Sequence, residues 1–245
     1  MEYMKMRPYQ IRHAIDTNAP VLFPLGVIEY HAEHLPVGTD TMVACEICRR
    51  VEQWHPEVVI LPPFYYGAAS LAVAAPERNG TIQVDSQKII PVAEEIFTSL
   101  LRIGFRNIHG YIAHQTEEFM QGMPTDLAFR FAGRHAIFNF MEKTVGEGWW
   151  GTEKFADYYD GDNNPFAWIQ IHRRNLSPED SALYPGDHAG KLETSEDMVI
   201  CPECVEMDRL DSSIWFSRPA VDASAAYGDA ALEKVARGFE KEIFG

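Results

Sequence analysis

Basic residues are scarce in this chain of 245, with 21 lysines and arginines against 36 aspartates and glutamates, a formal charge of −15. That deficit argues against a protein held to nucleic acid or to an anionic membrane surface, since both need a basic footprint. It suits divalent cations. Long apolar runs are missing too: no stretch approaches the ~18 residues of a membrane span. The segment from Met1 to Pro8 lacks the apolar core of a signal peptide, so a cytoplasmic location is the expectation. There is no internal repeat, low-complexity tract or linker. A single domain over residues 1–245 is expected, and 46% hydrophobic residues supply a substantial core.

Cysteine is sparse as well. The four thiols form two CxxC pairs, Cys45/Cys48 and Cys201/Cys204. Zinc ribbons usually separate such pairs by roughly 15–20 residues, far less than the gap here. Cys45 and Cys48 also fall inside a helical pattern. The expectation is therefore four structural thiols in a reducing compartment.

What is present is an alternation of strand-like and helix-like segments, the mark of an α/β layered fold. Val21 to Ile28 reads as a buried strand running into a loop, and residues 39–53 as a helix that Thr39 or Asp40 begins. Val58 to Leu61 is a second strand, stopped by Pro62-Pro63. A helix follows over about residues 86–101, with Pro91 near its start and Gly104 to end it. Phe105 to Ala113 is the next strand and opens onto His114. Further helices are expected from Glu117 to Gly133 and from an Asp229 cap to Ile243. The stretch from Gly146 to Asn164 is rich in aromatics and acids, including Trp149, Trp150, Tyr158, Tyr159, Asp160 and Asp162. A lid, a subunit contact or a satellite of the core would each account for it.

The passage from Pro24 to Thr41 is the most informative. It leaves an apolar strand where α/β folds place their ligand sites, and it carries Glu29, His31, Glu33, His34 and Asp40. In extended chain Glu29 and His31 project to one side, and the Leu-Pro-Val-Gly turn can return Asp40 towards them. Carboxylate plus imidazole suits zinc, manganese or iron. One carboxylate can also bridge two ions.

This passage resembles the creatininase-family signature, PxGxxEqHGpHLPxgTDt. Three later stretches are similar to other family segments: Gly104 to His114, the turn from Pro76 to Ile82, and Asp187-His188-Ala189-Gly190-Lys191-Leu192-Glu193-Thr194-Ser195. Gly228-Asp229-Ala230 is a fainter match to a helix start. The resemblance implies a three-layer α/β/α sandwich with a mostly parallel sheet. It also implies a centre of two divalent metal ions, zinc or manganese with iron as an option, and a homo-oligomer, usually a hexamer. Carried over by position, Glu29, His31, Asp40 and His114 are metal ligands with Asp40 bridging. Glu193 is a further ligand, and His188 does acid/base work.

Some positions depart from the pattern. Thr116 stands where creatininase has a ligand glutamate two residues after the histidine, and Glu117 follows one residue on. Ala32-Glu33 replaces Gly-Pro, and Ala113 precedes His114 in place of glycine. His109, within the strand, reads as a core histidine. The implied reaction is hydrolysis of a C–N bond in a cyclic or linear small-molecule amide by a metal-activated water, with Tyr30 and one of Trp149, Trp150 or Trp168 walling the pocket or packing the core. Two alternatives are a deformylase or peptide-trimming member of the family in cofactor biosynthesis, and a metal-binding oligomer without catalysis.

Overall fold

Alternation within the strands builds two cores. The computed structural model describes residues 1–68, 73–114, 122–159 and 164–245. In chain order the elements are α1 Pro8–Asp16, β1 Val21–Leu25, α2 Thr39–Trp54, β2 Val59–Ile60, α3 Ser86–Ile103, β3 Ile108–Ile112, α4 Pro124–Thr144, β4 Ile169–His172, α5 Pro178–Leu183, α6 Lys191–Ile200 and α7 Ala225–Phe244, joined in places by short 3-10 turns. The strands lie in the order β2-β1-β3-β4, and every pairing is parallel. β1 and β3 are buried at all positions, as central strands covered on both faces must be.

Val21, Phe23 and Leu25 of β1 join Ile108 and Ile112 of β3 in a cluster with the apolar faces of α1, α3 and α4. Leu22 and Tyr111, pointing the other way, pack with α2 and α7. The result is the expected α/β/α sandwich. Among the described residues no helix is long and apolar enough to cross a membrane.

Local chemistry explains both ends of α3. The Asp85 carboxylate accepts from Gln87 N at 2.7 Å and opens α3, and Gly104 closes it at φ 128°. Pro91 lies inside α3 without ending it. His109 is the core histidine anticipated, buried between His172 at 2.9 Å and the Asn107 side-chain oxygen at 2.7 Å.

Several expectations need correction. The helix expected to stop at Gly133 continues to Thr144; its proposed start, Glu117, lies outside the described residues. Gly133 is there for packing: a Cβ would stand 2.7 Å from Cγ2 of Ile169, so α4 presses directly on β4. α7 begins one turn before Asp229, capped by Ser224, whose hydroxyl accepts from Tyr227 N. Asp229 instead pairs with Arg50 of α2 at 2.6 Å. Cys201 and Cys204 form a disulfide in place of two thiols, because the chain leaves α6 at Cys201 and a 3-10 turn brings the two Cα atoms to 5.3 Å. Cys45 and Cys48 remain free. In the aromatic stretch, Trp149 and Phe155 enter the α3/α4 core while Trp150 and Tyr159 stay exposed. Asp160 and Asp162 lie outside the described residues.

Where α6 crosses α7 the backbones all but touch. A Cβ on Gly228 would fall 1.9 Å from the Ser195 carbonyl oxygen. Gly228→Ala is therefore expected to destabilise the protein by about 1–3 kcal/mol through overpacking, read as a drop of ~2–4 °C in Tm per kcal/mol. An unchanged melting curve would contradict this reading of the crossing.

Candidate metal centre

The strand order reverses between β1 and β3, since β1 is followed by β2 on one side and β3 lies on the other. Such a switch point opens a crevice at the strand carboxyl ends. The loop leaving β1 enters it with Glu29 and His31, and His114 enters two residues after β3. Asp40 and Glu193 lie in the first turns of α2 and α6, and His188 lies just ahead of α6.

These six side chains converge, and all are at most 8% exposed. His114 Nδ1 is 3.2 Å from Glu29 Oε1 and 3.4 Å from Asp40 Oδ2. His31 Nε2 is 3.5 Å from Glu193 Oε2 and 3.8 Å from the same Asp40 oxygen. His188 Nδ1 is 3.7 Å from Glu29 Oε1, and its ring stacks on His31 at 4.4 Å between centroids. Three overlapping donor trios result: Glu29/Asp40/His114, His31/Asp40/Glu193 and Glu29/His31/His188. Glu29, His31 and Asp40 each belong to two of them, and of the three Asp40 alone joins the His114 trio to the Glu193 trio.

The donor set fits divalent cations. Donors around a tetrahedral ion with bonds of 2.0–2.1 Å stand about 3.3 Å apart, close to the shorter spacings here. His31 Nε2, Asp40 Oδ2, both nitrogens of His114 and His188 Nδ1 are buried with no hydrogen-bond partner among the described residues. Such orphaned atoms are expensive unless a ligand takes them up.

Hydrogen bonds to the backbone set the imidazole tautomers. His31 Nδ1 lies 3.1 Å from the Glu29 carbonyl, and His188 Nε2 lies 2.9 Å from the Tyr30 carbonyl. A carbonyl only accepts, so each of these nitrogens carries the proton. The other nitrogen of each ring then offers a lone pair to the cluster, an orientation typical of metal-binding histidines. The residues after the two histidines, Ala32 and Ala189, are left-handed at φ 59° and 51°. Each costs about 1–3 kcal/mol, and such strain gathers at functional sites.

Electrostatics show how crowded the acids are. Burial pushes the Glu193 carboxyl well up, and Asp40 and Asp187 push it further. Asp40 moves down despite its burial, drawn by His31, His114 and His188. Burial would lower His114, but the carboxylates of Asp40 and Glu29 outweigh it and hold it up at about 10. His188 is brought down to about 4 by burial and then by His31.

Several supporting residues escaped the sequence reading. Asp187 accepts from Leu192 N at 2.7 Å and Glu193 N at 3.2 Å, capping α6 and orienting the turn that carries Glu193. Thr39 donates to Asp197 at 2.6 Å, clamping the start of α2 to α6 beside Asp40. Thr81 accepts from Tyr30 N at 2.9 Å and steadies the histidine loop. The threonine-isoleucine turn and the Asp187 stretch were both visible in the sequence, but Asp197 lies 158 residues from Thr39, too far for spacing to reveal. Trp149 lies in the α3/α4 core, and Trp168, just before β4, lies at the opposite end of the strands from the centre. Neither walls it. Glu117 and Thr116 fall outside the described residues.

Comparison with known proteins gives a consistent picture. The family model described as creatininase, creatinine amidohydrolase, matches residues 4–242. Creatinine amidohydrolase of Pseudomonas putida is 23% identical over 192 residues, covering 78% of this chain and 67% of that protein. A mycofactocin precursor peptide peptidase of Mycobacterium ulcerans (strain Agy99) is 31% identical over 102 residues, 37% of this chain and 40% of that one. The solved structure of a manganese form of creatininase superposes with a TM-score of 0.76 at 17% identity, covering 99% and 96% of the two chains.

The shared position of Asp40 sets an order of losses. Asp40→Ala should strip most of the bound metal, whereas His114→Ala should mainly affect the ion held with Glu29. Asp187→Asn, which disturbs the cap of α6 and with it the support of Glu193, should weaken binding ~10–100-fold. Metal analysis after dialysis checks all three. Wild-type metal content in Asp40→Ala would contradict the arrangement.

Proposed function

The chain belongs to the creatininase family, and from that premise we propose that it is a metal-dependent amidohydrolase cleaving a C–N bond of a small cyclic or linear amide. The observation that carries this reading is the buried convergence of three carboxylates and three imidazoles at the switch point. Glu29, His31, Asp40, His114 and Glu193 would hold two divalent ions, zinc or manganese, with Asp40 the carboxylate shared between the two donor groups. Ions bound there would supply Lewis acidity, enough to lower the pKa of a water towards 7 and to polarise a carbonyl oxygen.

The chain's own residues do the rest. His188 is the proposed acid/base group. Its Nε2 proton is committed to the Tyr30 carbonyl, which leaves Nδ1 as the atom that takes up a proton and hands it to the departing nitrogen. The clamp from Thr39 to Asp197 keeps Asp40 in place, and burial keeps bulk water from competing for the reacting groups. The family resemblance implies a homo-oligomer, and a hexamer is the proposed form.

A second reading places the scissile bond in a peptide or formamide. The identity of 31% to a peptide peptidase favours it, over a shorter stretch than the creatinine amidohydrolase match. Ala32-Glu33 and Ala113, which replace the usual small turn residues beside the ligands, also point to a substrate other than creatinine.

The test is a panel of cyclic amides, formamides and short peptides with manganese or zinc. Turnover of at least one class should vanish with chelator and return with metal. It should fall by ~10²–10⁴ in His188→Ala with metal content retained. Stoichiometric metal without turnover of any class would favour a non-catalytic metal-binding protein.

A further inference from the structure

A second run of buried polar groups, sharing no member with the metal centre, lies where β3 and β4 meet the end of α7. His109 of β3 and His172 of β4 are in parallel register with Gln170 and Tyr111, so both histidines project from the same face of the sheet. They are 1% and 8% exposed. His109 Nδ1 and His172 Nε2 stand 2.9 Å apart. On the outer sides of the pair, His109 Nε2 is 2.7 Å from the Asn107 side-chain oxygen, and His172 Nδ1 is 2.6 Å from Glu242 Oε2.

Both ends of this run are acceptors. The Asn107 amide nitrogen donates to the Asn18 carbonyl at 3.2 Å, which fixes the amide oxygen towards His109. Glu242 presents one carboxylate oxygen to His172, and the other accepts from Asn175. Three contacts in a row therefore need three protons, and two neutral imidazoles supply only two. With one proton fewer, two lone pairs would face each other at one of these contacts, an arrangement that buried polar groups avoid.

We propose that the His109–His172 pair is a proton-binding site whose four ring nitrogens hold three protons at neutral pH, the added proton closing a clasp between β3, β4 and α7. Glu242 is the carboxylate that meets the charge. Burial raises its carboxyl, but His172, Asn175 and Arg130 outweigh burial and hold it below its ordinary value. His109 is brought down to about 3 by burial and then by His172, so the charge belongs to the His172 side of the pair, next to Glu242. A hollow of about 740 Å³ between α4 and β4 reaches His172 and Glu242 and gives the proton a path to solvent. Arg130 and Arg134 of α4 line it too, each with a partner of its own: Arg130 pairs with Asp126 at 3.3 Å, and Arg134 donates to the Phe166 carbonyl at 2.8 Å. Phe239 of α7 packs edge-on against His172 at 5.2 Å, and Tyr111 of β3 lies 4.8 Å from Phe239. Because the folded pair holds a proton that two neutral imidazoles lack, the stability due to the clasp falls as pH rises. The site is independent of the metal centre and of the reaction.

Glu242→Gln is the variant that tests it. The glutamine amide nitrogen can take the place of Oε2 and donate to His172 Nδ1, supplying the third proton covalently while its oxygen keeps the bond from Asn175. Urea denaturation of zinc-loaded protein between about pH 6.5 and 7.5 gives the folding equilibrium constant of each form. It should fall about tenfold more per pH unit in wild type than in Glu242→Gln, the signature of one bound proton. Equal slopes would overturn the proposal. Imidazole ¹⁵N spectra of zinc-loaded wild type at about pH 7.5 give a second readout, which holds even if the variant does not fold. Protons on three of the four ring nitrogens of His109 and His172 are expected, and protons on only two would overturn the site.

Discussion

Gly26 stands where the chain leaving β1 crosses the first turn of α2, and the crossing is so close that a Cβ there would lie 2.1 Å from the Thr41 hydroxyl. Everything at the centre follows from that approach. Thr41 donates to the Val27 carbonyl at 3.2 Å, and Glu29 N donates to the Val37 carbonyl at 3.0 Å, closing the loop on the helix start. Glu29 and His31 are thereby carried onto Asp40, only a short loop away in sequence. Ile82 N donates to the Ile28 carbonyl, so a later segment locks the same loop from outside. β3, pairing along the whole length of β1, then sets His114 opposite.

The same geometry gathers charge where the interior tolerates it least. Glu29, Asp40 and Glu193 share a space almost closed to water, and isolated buried carboxylates cost several kcal/mol each. The fold offsets part of this with the amino ends of α2 and α6, whose unpaired N–H groups favour negative charge. Donors pointing inward, tautomers set from outside and strained alanines beside two of the histidines all describe a centre organised around cations rather than around its own hydrogen bonds.

Much of this was legible in the sequence because it is local. The strand, turn and helix start between Val21 and Asp40 occupy one short stretch, and their spacing alone implied convergence. Periodicity likewise revealed α2 and α3 within a few residues. Gly133 misled because a glycine that ends a helix and one that lets a strand approach look alike in a sequence; the distinction is Ile169, far along the chain. The bond from Thr39 to Asp197 spans 158 residues, and no spacing rule reaches it. The disulfide was missed for a related reason: CxxC within a helix and CxxC just beyond a helix end read the same until the end is known.

The central claim is that this cluster is a two-ion metal centre. Calorimetric titration of metal-stripped wild-type protein with zinc or manganese near pH 7 tests it most directly, alongside elemental analysis of the product. The account predicts two divalent ions per chain, proton release on binding, and affinity that falls as acid protonates the carboxylates and imidazoles. No stoichiometric binding of zinc, manganese or iron by the folded protein would contradict it.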